Sequence, residues 1–276
     1  MAIQLDSPPS LRRLPTTNRP ARASWVPPAV LVVSLVFFFA PWLAAAAYGF
    51  SRPGEALSLG PLLEALSNPR VGEAVGNTVF LTVATTAGML LLLVPSIIWL
   101  ELRAPRLAPI AEALSVLPLV VPAVALVNGA SQLYRAVAPG FLASIWSLVP
   151  LYMVTAMPLC YRAIVAGVRS MDLRTLYAAA SSLGASPGRI LVTIVLPNLR
   201  LAMVSASLLC IALCLSEFAM ASLLLHYTFP VFLVDVSSLS PKGVAAVSFL
   251  VTLLTWALLA LLSSMSTRKN SWSTAA

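Results

Sequence analysis

Charged positions divide this chain into long uncharged runs. No Asp, Glu, Lys or Arg stands between Arg22 and Arg52, Glu73 and Glu101, Glu112 and Arg135, or Arg135 and Arg162. Glu217 is the one charge between Arg200 and Asp235, and the stretch from Lys242 to Arg268 holds none. A transmembrane helix needs about 20 mostly apolar residues to cross roughly 30 Å of hydrocarbon, and every run is long enough. The pattern predicts six spans near 27–48, 77–99, 109–130, 142–165, 201–224 and 244–264. The fold class is therefore all-α, a polytopic membrane helix bundle. Pro95, Pro118, Pro122, Pro150 and Pro158 fall inside the runs and predict kinks, since neighbouring helices re-satisfy the carbonyls that proline frees.

The connection from Gly167 to Leu199 is patterned as structure of its own. Asp172 is placed to cap a helix over Leu173–Leu183, its carboxylate accepting from first-turn amides at the positive end of the helix dipole. Gly184 stands where a C′ residue with positive φ belongs. Ser186 and Pro187 read as the N-cap and N1 of a second short helix leading to Pro197. A helix lying on lipid headgroups would need bulky anchors, whereas Ala178, Ala179, Ala180, Ser181 and Ser182 present a small face. That face suits close approach by a partner protein.

Composition agrees with a membrane solvent. Of 276 residues 59% are hydrophobic and 9% charged, with a mean hydropathy of +0.94; soluble domains carry about 25% charged residues. These values exclude a soluble domain and a disordered chain, and three cysteines exclude a disulfide scaffold. Of the seventeen bases, Arg52, Arg70, Arg135 and Lys242 fall on one side of the predicted spans and all others on the opposite side. The side rich in bases is cytoplasmic by the positive-inside rule, so both termini are expected there. This also accounts for the net charge of +8 without a nucleic-acid-binding face. Residues 1–24 read as a disordered cytoplasmic tail. The first apolar run is too long for a signal-peptide core and is expected to be retained; this first span and the outer loop after it together occupy 25–69. A helix bundle then fills 70–266, and 267–276 is a second cytoplasmic tail.

Glu217 is the one charge expected within a span, and an intramembrane acid is functional by default. Two readings stand: a pore-facing acid acting on a cationic solute or gate, or a structural residue bonded across helices. Asn128 and Gln132 in the third run are candidates for the same path, although such residues also tie helices together. Cys210 and Cys214, four apart, and Cys160 read as packing residues, and no metal site is expected. His226 has no evident catalytic partner. The chain carries no G-x-x-x-x-G-K-[ST] phosphate loop, no H-E-x-x-H and no serine-nucleophile motif, so no catalytic residues are assigned. A transporter driven by an ion gradient is the opposing class; it would usually carry several intramembrane ionisable groups.

The run Ala178-Ala179-Ala180-Ser181-Ser182-Leu183-Gly184, nine further residues, and Ile194-Val195-Leu196-Pro197 resembles the "EAA" loop of binding-protein-dependent ATP-binding-cassette importer permeases. Its pattern is E-A-A-x3-G-x9-I-x-L-P. Asn77-Thr78 at the opening of the second span and Pro118/Pro122 in the third are similar too, so the resemblance covers roughly 70–265. It implies a five-helix, MetI-like core plus one extra helix. It further implies a pore-forming subunit of the bacterial inner membrane that binds no cofactor itself, the ATP being used by a partner. The implied partners are a second permease subunit (a homologue or a second copy), two cytoplasmic ATPase subunits, an extracytoplasmic solute-binding protein and membrane lipid. By the same resemblance Ala178, Ala179, Ala180, Gly184, Ile194, Leu196 and Pro197, with Asp172 ahead of them, form the ATPase-coupling segment. Ala178 replaces the motif's glutamate, so one ion pair to the ATPase is missing. The outer segments 49–76 and 225–243 would meet the binding protein. The Leu215-Ser216-Glu217-Phe218-Ala219 segment is similar to that of permeases for polyamines, ferric iron and phosphonates, which implies a polyamine among possible solutes.

Overall fold

The structure, a computed structural model, describes residues 26–268 apart from Pro53, Glu55 and Ala56. The expected tail 1–24 and the chain beyond Arg268 lie outside the described residues. Among the described residues thirteen α-helices follow one another: α1 (Val26–Gly49), α2 (Gly60–Leu66), α3 (Val71–Arg103), α4 (Ala108–Val116), α5 (Ala123–Val137), α6 (Pro139–Leu142), α7 (Leu148–Ser170), α8 (Leu173–Ser182), α9 (Pro187–Ile190), α10 (Leu196–Ser216), α11 (Ala219–Leu223), α12 (Phe229–Ser237) and α13 (Pro241–Arg268). A π-helical turn, Leu191–Val195, joins α9 to α10 without a break, so Pro187–Ser216 is a single 30-residue helix.

The chain divides into two units at Ala44/Ala45. In the first, α1 exposes Val30, Val33, Phe37, Phe38 and Leu43 on every side, as a helix meant for lipid does. In the second unit the core is built on α3, α7 and α10. Leu81, Thr85, Met89, Leu93 and Ile97 form a buried stripe at intervals of four along α3. Leu148, Tyr152, Ala156, Cys160, Ile164 and Val168 form another along α7. Residues four apart share one helix face, and such rows interlock as ridges in grooves. On α10, Leu199, Ala206, Cys210 and Cys214 complete the contact. All three cysteines are free and occupy these packed rows. Gly167 marks a close crossing of α7 and α10: a Cβ there would run into the Ala202 side chain.

Four described helices are long and apolar enough to cross a membrane: Pro28–Gly49, Val71–Arg103, Ile145–Ser170 and Pro187–Ser216. The expected third span is a bent pair, Pro105–Leu119 and Ala123–Val137, whose arms meet at 100° and make a fifth crossing only when taken together. The expected continuous third span is therefore corrected. Pro122 is extended, with φ −60° and ψ 141°; it lacks an N–H and excludes helical geometry at Val121, so the proline-flanked stretch turns the chain. Pro95 and Pro158, by contrast, lie inside unbroken helices. The sixth expected crossing falls on α13, whose described apolar part, Pro241–Ala257, is shorter than the four membrane-length helices. The second span begins at Val71, ahead of the expected residue 77, and runs to Arg103.

Candidate functional site: the loop helix and the polar cleft

The patterned connection is shorter than expected, because α7 continues to Ser170 and the next long helix already starts at Pro187. What remains between them is α8 and its two turns. Asp172 enters α8 in the left-handed region, with φ 42° and ψ 59°, and its side chain makes no capping bond. This corrects the expected carboxylate cap. Aspartate is tolerated both as a cap and in left-handed backbone; here the second use reverses the chain between α7 and α8.

At the other end Gly184 has φ +81°. Its N–H donates to the Ser181 carbonyl (3.0 Å) and the Ala185 N–H donates to the Ala180 carbonyl (3.1 Å). This is the paired bonding of a Schellman cap, which requires a left-handed residue at C′. A left-handed residue thus stands at each end of α8.

One face of α8 points inward. Leu173 and Ala180 are buried, and Tyr177 between them packs against the core. Below it a cleft of about 210 Å³ is lined by Pro95, Trp99, Leu102, Tyr177, Pro187 and Leu191. The other face is open: Thr175, Ala178, Ala179, Ser181 and Ser182 are exposed, and Leu183 is 88% exposed. Ala178, Ala179 and Gly184 thus share the open surface, whereas Ala180 faces the core. Ile194 and Leu196 pack partly buried against the core and Pro197 is exposed, all inside the continuous helix. The short helix expected to lead to Pro197 instead runs through it. Proline cannot supply the N–H that the Thr193 carbonyl would otherwise accept, and the helix widens into its π turn just ahead of Pro197 rather than ending. Asn198 Nδ2 donates to the Ile194 carbonyl there (2.9 Å).

Of the three path candidates, Asn128 and Gln132 line one open cleft of about 450 Å³, together with Ser131, Arg135, Leu224 and Leu225. Glu217 is not part of that lining. Nor is it central to a span: α10 ends at Ser216 and Glu217 follows with extended backbone, φ −80° and ψ 110°. Its Oε1 accepts from the Met220 N–H at 2.9 Å, and Tyr152 Oη donates to its carbonyl at 3.4 Å. The carboxylate thus satisfies an amide of α11's first turn, a common use of an acid. α11 closes at Leu225, itself left-handed with φ 59°. Nearby, His226 Nε2 lies 3.1 Å from Ser147 Oγ, and burial lowers its pKa from the ordinary imidazole value.

Sequence reasoning missed a cluster at the Val71 end of α3. Asn77 Nδ2 donates to the Tyr227 carbonyl (2.8 Å), and the Phe229 N–H donates to Thr78 Oγ1 (2.8 Å). The Arg70 guanidinium lies 3.4 Å from the Tyr227 ring centroid, and Tyr227 Oη donates to Asp235 at 2.8 Å. Burial, followed by that hydrogen bond, raises the Tyr227 pKa. The available signal was a polar Asn-Thr pair, which α3 carries two turns inside the helix rather than at its opening.

A bundle of membrane-length helices with a folded helical loop between two of them is the architecture of a polytopic membrane protein. The chain belongs to the binding-protein-dependent transport system inner membrane component family, whose model matches residues 106–269. That match takes in the broken third crossing, α8 and all helices after it. No curated protein matches the chain.

Proposed function

We propose that this chain is the pore-forming permease subunit of an ATP-binding-cassette importer, with residues 70–266 as its permease core and α8 as the helix that seats in a cytoplasmic ATPase subunit. The observation that carries this reading is the open face of α8, small residues held between two left-handed residues on a buried footing of Leu173 and Ala180. Both termini and α8 are cytoplasmic in this reading. The assembly contains a second permease subunit, two ATPase subunits and a binding protein that meets the segments around 49–76 and 225–243. Closure of the ATPases on ATP moves α8, and the helices carrying the 117–122 and 217–225 breaks rock to expose the path to the binding protein. Asn128, Ser131, Gln132 and Arg135 form the part of that path nearest the binding protein.

A polyamine, the solute implied by the resemblance at Glu217, draws no support from this arrangement. Glu217 is engaged at the start of α11, and the Asn128 cleft carries a guanidinium and no acid among its lining residues. We read the solute as polar and not polycationic, selected first by the binding protein.

Gly184 provides the test. A Cβ there would meet no atom within 4 Å, so any penalty is one of backbone conformation. Asparagine tolerates left-handed backbone and valine does not. Gly184→Asn is expected to keep co-purification with the ATPase subunit and ATP-dependent uptake, and Gly184→Val to lose both. Full uptake by Gly184→Val would overturn the assignment of α8.

A further inference from the structure

The coupling segment lacks its motif glutamate, since Ala178 stands in that place. An ion pair to the ATPase would in any case act only once that partner is bound, and two buried anchors on a ten-residue helix leave α8 weakly held without further contacts. The structure supplies a polar fastening from the opposite direction. Arg174, in the first turn of α8, places Nη2 3.4 Å from Glu101 Oε1. Its Nε donates to the backbone carbonyl of the same glutamate at 3.2 Å. Glu101 lies in the last turn of α3, which ends at Arg103.

Both halves of this contact answer a local deficit. The Glu101 carbonyl is one of the last four of α3, and its regular helical partner would be the N–H of residue 105. That residue is Pro105, which has no N–H to give. The Glu101 carboxylate stands at the negative end of the α3 dipole, where an acid is disfavoured unless a cation accompanies it. A guanidinium is the side chain that meets both needs at once, because its planar fork carries several fixed donors.

We infer that Arg174 is a positioning residue that fixes the coupling helix α8 on the end of α3 through Glu101. It acts within this chain, whereas the motif glutamate would act at the ATPase surface. Motion of α8 is thereby tied to α3, whose far end carries the cluster around Tyr227. The inference rests on the proposed role of α8 only for its consequence; the fastening itself is testable without any partner.

The full chain in lipid nanodiscs is compared by amide hydrogen exchange across 173–182. R174A is expected to speed exchange about fivefold, the scale of one exposed ion pair joined to one charge-assisted hydrogen bond. E101A should have a smaller effect, since the carbonyl remains as an acceptor. E101A/R174A should exchange no faster than R174A alone, because both substitutions remove one shared contact. R174K, keeping charge without the fork, should fall between parent and R174A. Added salt should speed exchange in the parent and leave R174A unchanged. Parent-like exchange in R174A, or effects that multiply in the double variant, would overturn the inference. A parent chain that binds no ATPase subunit would instead overturn the reading of α8 as a docking helix.

Discussion

At its Val71 end, α3 is tied to segment 227–236 by hydrogen bonds from Asn77 and to Thr78, backed by Phe232, which is fully buried. At its Arg103 end, α3 meets α8 through Arg174 and Glu101, whose side chains are 54% and 30% exposed. A second ion pair at that level, Arg169–Glu112 at 3.3 Å, joins α7 to α4 and is equally open. Exposed ion pairs contribute about 0–1 kcal/mol and weaken with salt, whereas buried apolar packing does neither. The Val71 end is the more closed of the two. Its exposed pairs Arg70–Glu73 and Arg70–Asp235 are accompanied by part-buried hydrogen bonds, whereas the polar tie at the Arg103 end is exposed and α8 rests otherwise on Leu173 and Ala180. Under the proposed role of α8, the lightly held end is where ATP-driven motion would enter.

The contrast breaks most visibly at the closed end. Phe232→Ala removes a side chain with no exposed surface, and a change of that kind costs about 3–5 kcal/mol. The expected outcome is a large drop in the thermal unfolding midpoint of the purified chain, read by intrinsic fluorescence in detergent. Thr78→Val is the milder version at the same place. It keeps the side-chain shape but strands the Phe229 N–H, whose acceptor is Thr78 Oγ1, at about 1–3 kcal/mol. Both variants should leave amide exchange in α8 at the parent rate. If either loosened α8 as much as segment 227–236, the two ends would not be separable.

How far the sequence foretold this follows the range of each interaction. Membrane crossings were legible because a hydrocarbon solvent demands long uncharged runs. Gly184 was legible because its C′ position and its residue type point to the same left-handed backbone, φ +81°. Asp172 was not, because the same residue type favours both a carboxylate cap and a left-handed turn, and local sequence does not choose between them. Glu217 was misplaced because the apolar run continues through Phe218 to Leu225 and hides the end of α10. The contacts that define the two ends of α3 were invisible for a different reason. Arg174 and Glu101 are 73 residues apart and Asn77 and Tyr227 are 150 apart, so no local pattern pairs them. In the same way the prolines foretold a disturbance at 117–122 but not a bend of 100°.

The smallest effect sharpens the comparison from the open side. Glu112→Gln keeps the side-chain size and removes the charge facing Arg169. With the two side chains 57% and 42% exposed, the unfolding cost should stay below about 1 kcal/mol at low salt. At high salt parent and variant should unfold together, because the Debye length falls from about 10 Å at 0.1 M to about 3 Å at 1 M. The Phe232→Ala deficit should persist under the same salt, since apolar packing is not screened. An E112Q deficit that also persisted in high salt would mean that the pair is part of the rigid bundle. The light hold at this end would then rest on Arg174 and Glu101 alone, and the exchange behaviour of α8 would carry the whole distinction between the two ends of α3.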